Sequence, residues 1–289
     1  MDQPKPDILI CTDLDRTLLP NGPQAESPAA RPRFHRLAEH PEVHIAYVTG
    51  RHQALVEQAI REYGIPTPDF LIGDVGTSIY RVDDGEWQLI EAWSEAIGAD
   101  WAGLDHDNLA ALLADLPGLR LQEPEKQGRY KLSWYTPEDW DRTRLLPRIA
   151  DRLRQHGVDA NLIWSLDEST GTGLLDLLPA SASKRSAVEF LLESEGLDPA
   201  RTLCAGDSGN DLAMLTSPLP AVLVANATDA VRTEAVELAS AAGTMDRLYL
   251  AQGGFHDMNG CYAAGILEGL AHYLPETQHW WAENEHASP

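Results

Sequence analysis

The chain has few lysines, few cysteines and no long apolar run. Its four lysines (Lys5, Lys126, Lys131 and Lys184) belong to a set of 22 basic residues, which 45 acidic residues outnumber to give a net charge of −23. So acidic a surface repels nucleic-acid phosphates and anionic membranes, and we expect neither as a partner. A salty cytoplasm and a GC-rich genome both explain the scarcity of lysine, and the sequence leaves that choice open.

The three cysteines are too few and too scattered for a disulfide framework. Cys11, Cys204 and Cys261 are odd in number, as expected of reduced thiols in a cytoplasm. No apolar run has the length of a membrane span, and the polar start MDQPKPD shows no signal peptide. Because 43% of the 289 residues are hydrophobic, the chain can bury a core. We therefore expect a folded cytoplasmic protein with a disordered tail at 283–289.

Short apolar runs alternate with helical patterns at both ends of the sequence. Buried strands are predicted at residues 7–12, 43–49, 68–76, 201–207 and 221–226. Helices are predicted between them, for example at 51–64, where the pattern ends in Gly64. This alternation predicts an α/β fold with a doubly wound, mostly parallel (Rossmann-like) core sheet. We assign residues 1–81 and 179–289 to this core domain.

Residues 82–178 have a different pattern of apolar and polar residues and are predicted to form an inserted α+β cap. Three segments have the pattern of half-exposed antiparallel strands, namely 86–93, 128–135 and 159–166. Helices are predicted at 105–116 and 145–157. Pro147 either opens the second helix or kinks a longer one.

Two aspartates follow the first predicted strand. Asp13 and Asp15 are two positions apart, so in an extended segment both side chains face one pocket at the carboxyl end of that strand. Their mutual repulsion, roughly 3 kcal/mol at 5 Å, is useful when a cation lies between them or when one carboxyl must hold a proton. Two solvated aspartates in a surface turn are the alternative.

Further polar residues stand at other strand ends and at one helix start. Each group alone has an ordinary structural explanation: a cap, a glycine turn or an exposed lysine. Together they form the order D-x-D-x-T, Thr-Gly, Lys, G-D-x-x-N-D. The residues concerned after the first motif are Thr49, Gly50, Lys184, Asp207, Ser208, Asn210 and Asp211.

This set resembles the haloacid dehalogenase superfamily of phosphohydrolases over nearly the whole chain, and the inserted cap resembles its Cof-like branch. The segments GRYKLSWY, LLDLLPASASK, GDSGND and AAGILEGLAHY are similar to those of sucrose-phosphate phosphatases. Two features depart from the family pattern. Arg16 and Leu18 lie inside the first motif where other residues are common, and the loop 253–260 is longer, which leaves the substrate in doubt.

The resemblance implies a phosphatase that hydrolyses sucrose 6-phosphate with Mg²⁺. In such an enzyme Asp13 attacks phosphorus and Asp15 is the general acid and then the base. Asp13, Asp207 and the backbone carbonyl of Asp15 hold the ion, while Asp211 belongs to the same metal site and orients Lys184 or bound water. The remaining implied phosphate contacts are Thr49, Gly50, Lys184, Ser208 and Asn210.

The cap is expected to select the sugar. Lys131 and Ser133 lie two apart on one strand and are predicted to face the cleft, whereas Trp134 and Tyr135 either stack on the sugar or pack the sheet. At the end of the third strand, Gly76, Thr77 and Ser78 are candidates for substrate contact. His40 and His44 have ligand-like spacing, but Pro41 disrupts a shared helix, so we interpret them as surface residues.

Three other functions remain open at this point. One is a phosphatase for another glycosyl phosphate, such as mannosylfructose phosphate or glucosylglycerol phosphate. Another is a phosphosugar mutase, which must keep water from the phosphoaspartate. The third is a non-catalytic binding domain, although such domains can lose the nucleophile that this chain keeps. A sucrose-phosphate-synthase-like glycosyltransferase is a candidate partner.

Overall fold

The computed structural model describes residues 7–167 and 170–282 in two sheets. The predicted disordered tail, 283–289, lies outside the described residues. The strands are β1 (Ile8–Thr12), β2 (Val43–Val48), β3 (Phe70–Gly73), β4 (Ser78–Asp83), β5 (Glu86–Leu89), β6 (Arg120–Leu121), β7 (Leu132–Thr136), β8 (Ala160–Asp167), β9 (Thr172–Pro179), β10 (Thr202–Gly206), β11 (Ala221–Leu223) and β12 (Leu248–Leu250).

Helices cover these sheets. They are α1 (Ala30–Ala38), α2 (Gln53–Tyr63), α3 (Glu91–Gly98), α4 (His106–Leu113), α5 (Arg142–Gln155), α6 (Lys184–Glu195), α7 (Leu212–Leu215), α8 (Asp229–Ala242), α9 (Ala263–Tyr273) and α10 (Gln278–Trp281). Within the described ranges, none of the helices has the length and apolar character needed to cross a membrane.

The larger sheet has eight strands in the order β12-β11-β10-β1-β2-β3-β4-β5. The first six run parallel to one another, and β4 and β5 are antiparallel additions at one edge. Because β1 lies between β2 and β10, the strand order reverses there. Ligands of open α/β sheets bind beside the carboxyl ends of strands at such a reversal. The predicted fold class is confirmed.

Both faces of the large sheet are buried, as the uninterrupted apolar sequence of β1 predicts. Ile10 joins an apolar cluster with Phe34 of α1 and Ile266 of α9. On the opposite face, Leu9 joins a second cluster with Val188 of α6. Successive residues of a strand point to opposite faces, so β1 contributes to both clusters and is fixed at the centre of the molecule.

The smaller sheet has the order β6-β7-β9-β8 and is antiparallel. One face packs against α4 and α5 through residues such as Leu109, Trp134 and Ile149. Asp141 caps α5 by accepting a hydrogen bond from the backbone N–H of Arg144. Pro147 therefore lies inside a longer helix, the second of the two alternatives left by the sequence.

One strand assignment was wrong. The segment 86–93 was predicted to belong to the cap sheet, but β5 pairs with β4 and extends the larger sheet. A half-exposed edge strand has the same alternating pattern in either sheet, so the pattern could not decide its partner. The strands β4, β6, β9 and β12 were not predicted. The division into residues 1–81 with 179–289 and residues 82–178 stays a prediction.

Candidate active site

Asp13 lies at the carboxyl end of β1 and forms an ion pair with Lys184. Its backbone N–H donates to the carbonyl of Ala205 in β10, which continues the sheet ladder by one residue. The Nζ atom of Lys184 is 2.7 Å from Oδ1 of Asp13 and 2.7 Å from Oδ1 of Asp211. All three side chains are buried. Lys184 and Asp211 lie 171 and 198 residues after Asp13 in the sequence, and the fold brings all three side chains together.

Lys184 is the first residue of α6, where a cation opposes the helix macrodipole. Ser183 caps this helix and accepts a hydrogen bond from the backbone N–H of Ser186. Burial alone would lower the pKa of Lys184, but Asp13 and Asp211 outweigh it and hold the pKa above its usual value. The ammonium group therefore stays charged because two carboxylates surround it.

A left-handed turn after β3 fixes the start of α6. Asp74, Val75 and Gly76 all have positive φ angles, of 51°, 62° and 96°. A Cβ atom on Gly76 would lie 2.4 Å from the carbonyl carbon of Ser183, so only glycine permits this contact. Since Lys184 follows Ser183 directly, the turn determines where its side chain begins.

The segment after β10 carries the other acids. The Oδ2 atom of Asp211 accepts from the backbone N–H groups of Asp207 (3.2 Å) and Ser208 (3.1 Å). Its Oδ1 atom accepts from Lys184, so both carboxylate oxygens of Asp211 already have protein donors. Asp207 accepts from the hydroxyl of Thr17 at 3.2 Å. Asp207 therefore accepts fewer hydrogen bonds from the protein than Asp211 does.

Asp13, Asp207 and Asp211 form a buried acidic cluster, and each offers one oxygen within 4.8 Å of the others. Burial raises the pKa of Asp13 to about 7. The charge of Lys184 opposes this shift, and the charges of Asp211 and Asp207 add to it. Burial and the charge of Asp211 raise the pKa of Asp207 to about 6. Oxygen donors whose charges repel one another fit a hard divalent cation such as Mg²⁺.

Asp15 does not belong to this cluster of side chains. Arg51, two residues after Thr49, donates from Nε to Oδ2 of Asp15 at 2.8 Å and from Nη2 to Oδ1 at 2.6 Å. Asn21 donates a third hydrogen bond at 2.7 Å. Burial would raise the pKa of Asp15, but these donors outweigh it and lower the pKa below its usual value.

A cleft of about 770 Å³ separates this site from the second sheet. Thr49 and Gly50 lie at its wall with Asp13 and Asp15, and their contact with phosphate stays a prediction. Ser208 and Asn210 also line it. The Oδ1 atom of Asn210 is 3.4 Å from Nζ of Lys184 and accepts from the hydroxyl of Ser208 at 2.9 Å. The cap residues that line the cleft are Arg120, Gln122, Glu123, Lys126, Lys131, Tyr135, Thr170, Thr172, Leu174 and Asp176.

The candidate sugar-binding residues of β7, and Lys131 just before it, divide between two faces. Lys131 and Tyr135 line the cleft. Ser133, on the same face, donates its hydroxyl to Asp176. Trp134 points the other way into the apolar core of the cap, which excludes it from stacking on a substrate in this cleft.

Gly76 and Thr77 lie behind the site and are not among the lining residues of this cleft. Gly76 packs against the start of α6, and the hydroxyl of Thr77 donates to the carbonyl of Asp74. Their contact with substrate stays a prediction. His40 stacks on Trp280 with ring centroids 3.8 Å apart, whereas His44 contacts Asp7 and Asp69. The two histidines thus have separate partners.

Sequence reasoning missed the contacts of Arg51 and of Asp176. Arg51 follows the Thr-Gly pair directly, so its position was a usable signal for a cation in the site. Asp176 lies beside Ser133 in the register of β7 and β9. Because β9 was not predicted as a strand, this register was not visible from the sequence.

The fold and the site together define a phosphoric monoester hydrolase of the haloacid dehalogenase superfamily. The family model of sucrose-6F-phosphate phosphohydrolase matches residues 6–274. The chain therefore belongs to the sucrose-6F-phosphate phosphohydrolase family. In sequence it is 54% identical over 276 residues to a putative HAD-like hydrolase of Nitrosococcus oceani, covering 96% of this chain and 74% of that protein.

The chain is also similar to a plant relative in sequence and to a solved structure in fold. The chain is 31% identical to probable sucrose-phosphatase 2 of Arabidopsis thaliana over 77% of its length, and it spans 51% of that protein. The sucrose-phosphatase of Synechocystis, solved with sucrose and phosphate, superposes with a TM-score of 0.69 at 24% identity, covering 93% of this chain and 98% of that one. The structural likeness shows a shared fold.

Proposed function

We propose that this protein is an Mg²⁺-dependent phosphatase that hydrolyses sucrose 6-phosphate to sucrose and phosphate. The observation that carries the proposal is the meeting of Asp13, Lys184 and Asp207 at one strand reversal. A nucleophilic carboxylate, an ammonium group and a cluster of acids are what phosphoryl transfer to an aspartate needs. The name of the family model supports sucrose 6-phosphate as the substrate.

In the first step an oxygen of Asp13 attacks phosphorus, and the bond from phosphorus to the sugar oxygen breaks. Asp15 gives a proton to the departing sugar oxygen. The product on the protein is a phosphoaspartate at Asp13. Lys184, 2.7 Å from the Asp13 carboxylate, stabilises the negative charge of the phosphoryl oxygens around that residue.

In the second step water attacks the same phosphorus atom. Asp15 takes a proton from this water, the bond between Asp13 and phosphorus breaks, and inorganic phosphate leaves. The ion pair with Arg51 favours the ionised form of Asp15, which suits the base of this step. The acid role in the first step requires the pair to open or weaken when substrate binds.

A bound Mg²⁺ would supply positive charge between the carboxylates and the phosphoryl group. Asp13 and Asp207 are the side chains suited to hold it, together with the backbone carbonyl of Asp15. Asp211 is better suited to orienting Lys184, because its two oxygens are already engaged by Lys184 and by two backbone N–H groups.

The cap would select the sugar through the face of β7 and β9 that lines the cleft. Lys131 and Asp176 offer a hydrogen-bond donor and acceptors there, and Tyr135 adds an aromatic ring to the lining; Ser133 is buried and donates to Asp176 instead of lining the cleft. A disaccharide presents both hydroxyl groups and apolar ring faces, so a polar cleft with one aromatic ring matches it.

The test is phosphate release from a panel of sucrose 6-phosphate, mannosylfructose phosphate and glucosylglycerol phosphate, with and without Mg²⁺. The proposal predicts the highest kcat/KM for sucrose 6-phosphate and no release by the Asp13→Asn variant. A higher kcat/KM for another member of the panel would change the assigned substrate but not the proposed phosphatase activity. Isomerised sugar phosphate without free phosphate would indicate a mutase, and binding without any reaction a non-catalytic domain.

A further inference from the structure

Arg16 occupies a backbone position that arginine rarely takes. It is the residue after Asp15 in the first motif, and its φ angle is 62°. Left-handed backbone disfavours a side chain with a Cβ atom, and glycine and asparagine tolerate it best. Two hydrogen bonds hold the residue there: its N–H donates to the side chain of Asn21, and its carbonyl accepts from Asn226.

The guanidinium of Arg16 lies beside the acidic cluster and lines the cleft. Its Nε atom is 3.4 Å from Oδ2 of Asp207 and is buried, but it has no hydrogen-bond partner within the part of the chain that the structure describes. The Arg16 side chain as a whole is still 40% exposed, toward the cleft.

The formal charges of the site leave a role for this cation. Two cations are hydrogen-bonded to the carboxylates: Lys184 to Asp13 and Asp211, and Arg51 to Asp15. The set of four carboxylates (Asp13, Asp15, Asp207 and Asp211) therefore keeps two negative charges, which one divalent ion would neutralise. A phosphate monoester then adds two more negative charges. Arg16 is the cation beside Asp207 that can offset one of them.

We propose that Arg16 binds the phosphoryl group of the substrate and of the product phosphate. The inference deepens the proposed function, on which it rests. A buried Nε donor without a hydrogen bond and a left-handed backbone are both unfavourable in the free protein, and the exposed part of the Arg16 side chain can donate to an anionic oxygen in the cleft. Both features make Arg16 a residue retained for binding at some expense of stability.

The experiment measures binding of inorganic phosphate to the Mg²⁺-loaded protein by calorimetry, so that it does not depend on turnover. Asparagine at position 16 removes the charge and tolerates the backbone. We expect Arg16→Asn to weaken phosphate binding about tenfold or more. We also expect its Tm to rise by about 2 °C, since backbone strain is relieved. Arg16→Lys should lie between the wild type and Arg16→Asn in affinity.

Ala102→Gly is the matched control. Ala102 also has a left-handed φ angle, of 52°, but it lies in the cap outside the cleft lining. It should raise Tm by a similar amount and leave phosphate affinity unchanged. Phosphate affinity of Arg16→Asn within twofold of the wild type would overturn the proposal, even if its Mg²⁺ affinity changed, because Arg16 would then act only on Asp207.

The same data separate this inference from the proposed function. If the wild type binds phosphate and Arg16→Asn does not, but no sugar phosphate is hydrolysed, the assignment of Arg16 stands and the proposed function fails. If hydrolysis occurs and Arg16→Asn binds phosphate normally, the proposed function stands and the assignment of Arg16 fails. A wild type that binds no phosphate with Mg²⁺ contradicts both.

Discussion

Arg51 and Asp15 form a bidentate ion pair across the ends of the two neighbouring strands β2 and β1. The two N···O distances are 2.8 and 2.6 Å, and both side chains lie at the wall of the cleft. A planar guanidinium matched to a carboxylate fixes the orientation of that carboxylate as well as its charge. The proposed acid and base of the reaction is thus held in one orientation by a residue of the adjoining Thr-Gly-Arg segment.

Replacement of Asp15 by asparagine should affect substrates according to their leaving groups. A sugar oxygen needs a proton as it departs, whereas p-nitrophenolate leaves without one. We expect Asp15→Asn to lower kcat/KM for the sugar phosphate by about 10²–10⁴-fold and for p-nitrophenyl phosphate by much less. Equal losses for both substrates would show that Asp15 does not act as the acid.

Replacement of Arg51 by glutamine should move the pH profile. Burial raises the pKa of Asp15, whereas Arg51, with help from Asn21 and Lys184, lowers it, so its pKa should rise once Arg51 is gone. The base of the second step is the ionised carboxylate, and the acidic limb of kcat should therefore shift to higher pH in Arg51→Gln. An acidic limb at the same pH in both proteins would mean that another group sets it.

Gly76 should prove essential for the position of Lys184. A Cβ atom at Gly76 would clash with the backbone of Ser183, at a φ angle of 96°. Gly76→Ala should lower the free energy of unfolding by about 2–4 kcal/mol, as measured in urea, and should reduce activity because α6 must move. The matched control is Gly64→Ala, where φ is 59° and an added Cβ atom would have no atom of the other described residues within 4 Å, its two chain neighbours aside. It should cost about 1 kcal/mol and leave activity intact.

The acidic cluster should make stability depend on pH and on Mg²⁺. The pKa values of Asp13 and Asp207, about 7 and about 6, lie above that of an aspartate in the unfolded chain, about 3.9. The folded, metal-free protein therefore binds more protons between about pH 4 and pH 7, and its stability should fall as pH rises through that window.

Mg²⁺ requires the ionised carboxylates, so its binding should strengthen over the same window. We expect the increase in Tm caused by Mg²⁺ to be small at pH 5 and larger at pH 8, and removal of the ion with EDTA to abolish activity reversibly. Scanning calorimetry at both pH values checks this. A Mg²⁺ effect that is the same at pH 5 and pH 8 would argue against carboxylate ligands.

The sequence predicted the ends of β1, β2 and β10 because buried parallel strands are continuous apolar runs and their polar residues follow at once. It also predicted that a helix begins at Lys184, and α6 begins at that residue. The contacts between these ends were accessible only through a family resemblance. Nothing local in the sequence states that β10 pairs with β1, because that pairing joins residues almost 200 positions apart.

The cap was harder to predict for two physical reasons. Its edge strand β6 has only two residues, too short for a periodic pattern. The strand β9 is mostly apolar and gave no alternation. One conclusion was available without the structure: Trp134 and Tyr135 are neighbours on a strand and face opposite sides, so both could not contact the same sugar. The Arg51–Asp15 pair depends on side-chain conformations, which no sequence pattern encodes.

In the proposed reaction Asp13 becomes phosphorylated during turnover. The most direct measurement is an acid quench of the enzyme during reaction with sucrose 6-phosphate labelled in its phosphoryl group, followed by counting of the label on the precipitated protein. We expect label on the wild-type protein that hydroxylamine removes, and no label on Asp13→Asn. Phosphate release by Asp13→Asn at the wild-type rate, or label that persists on that variant, would contradict the proposed reaction.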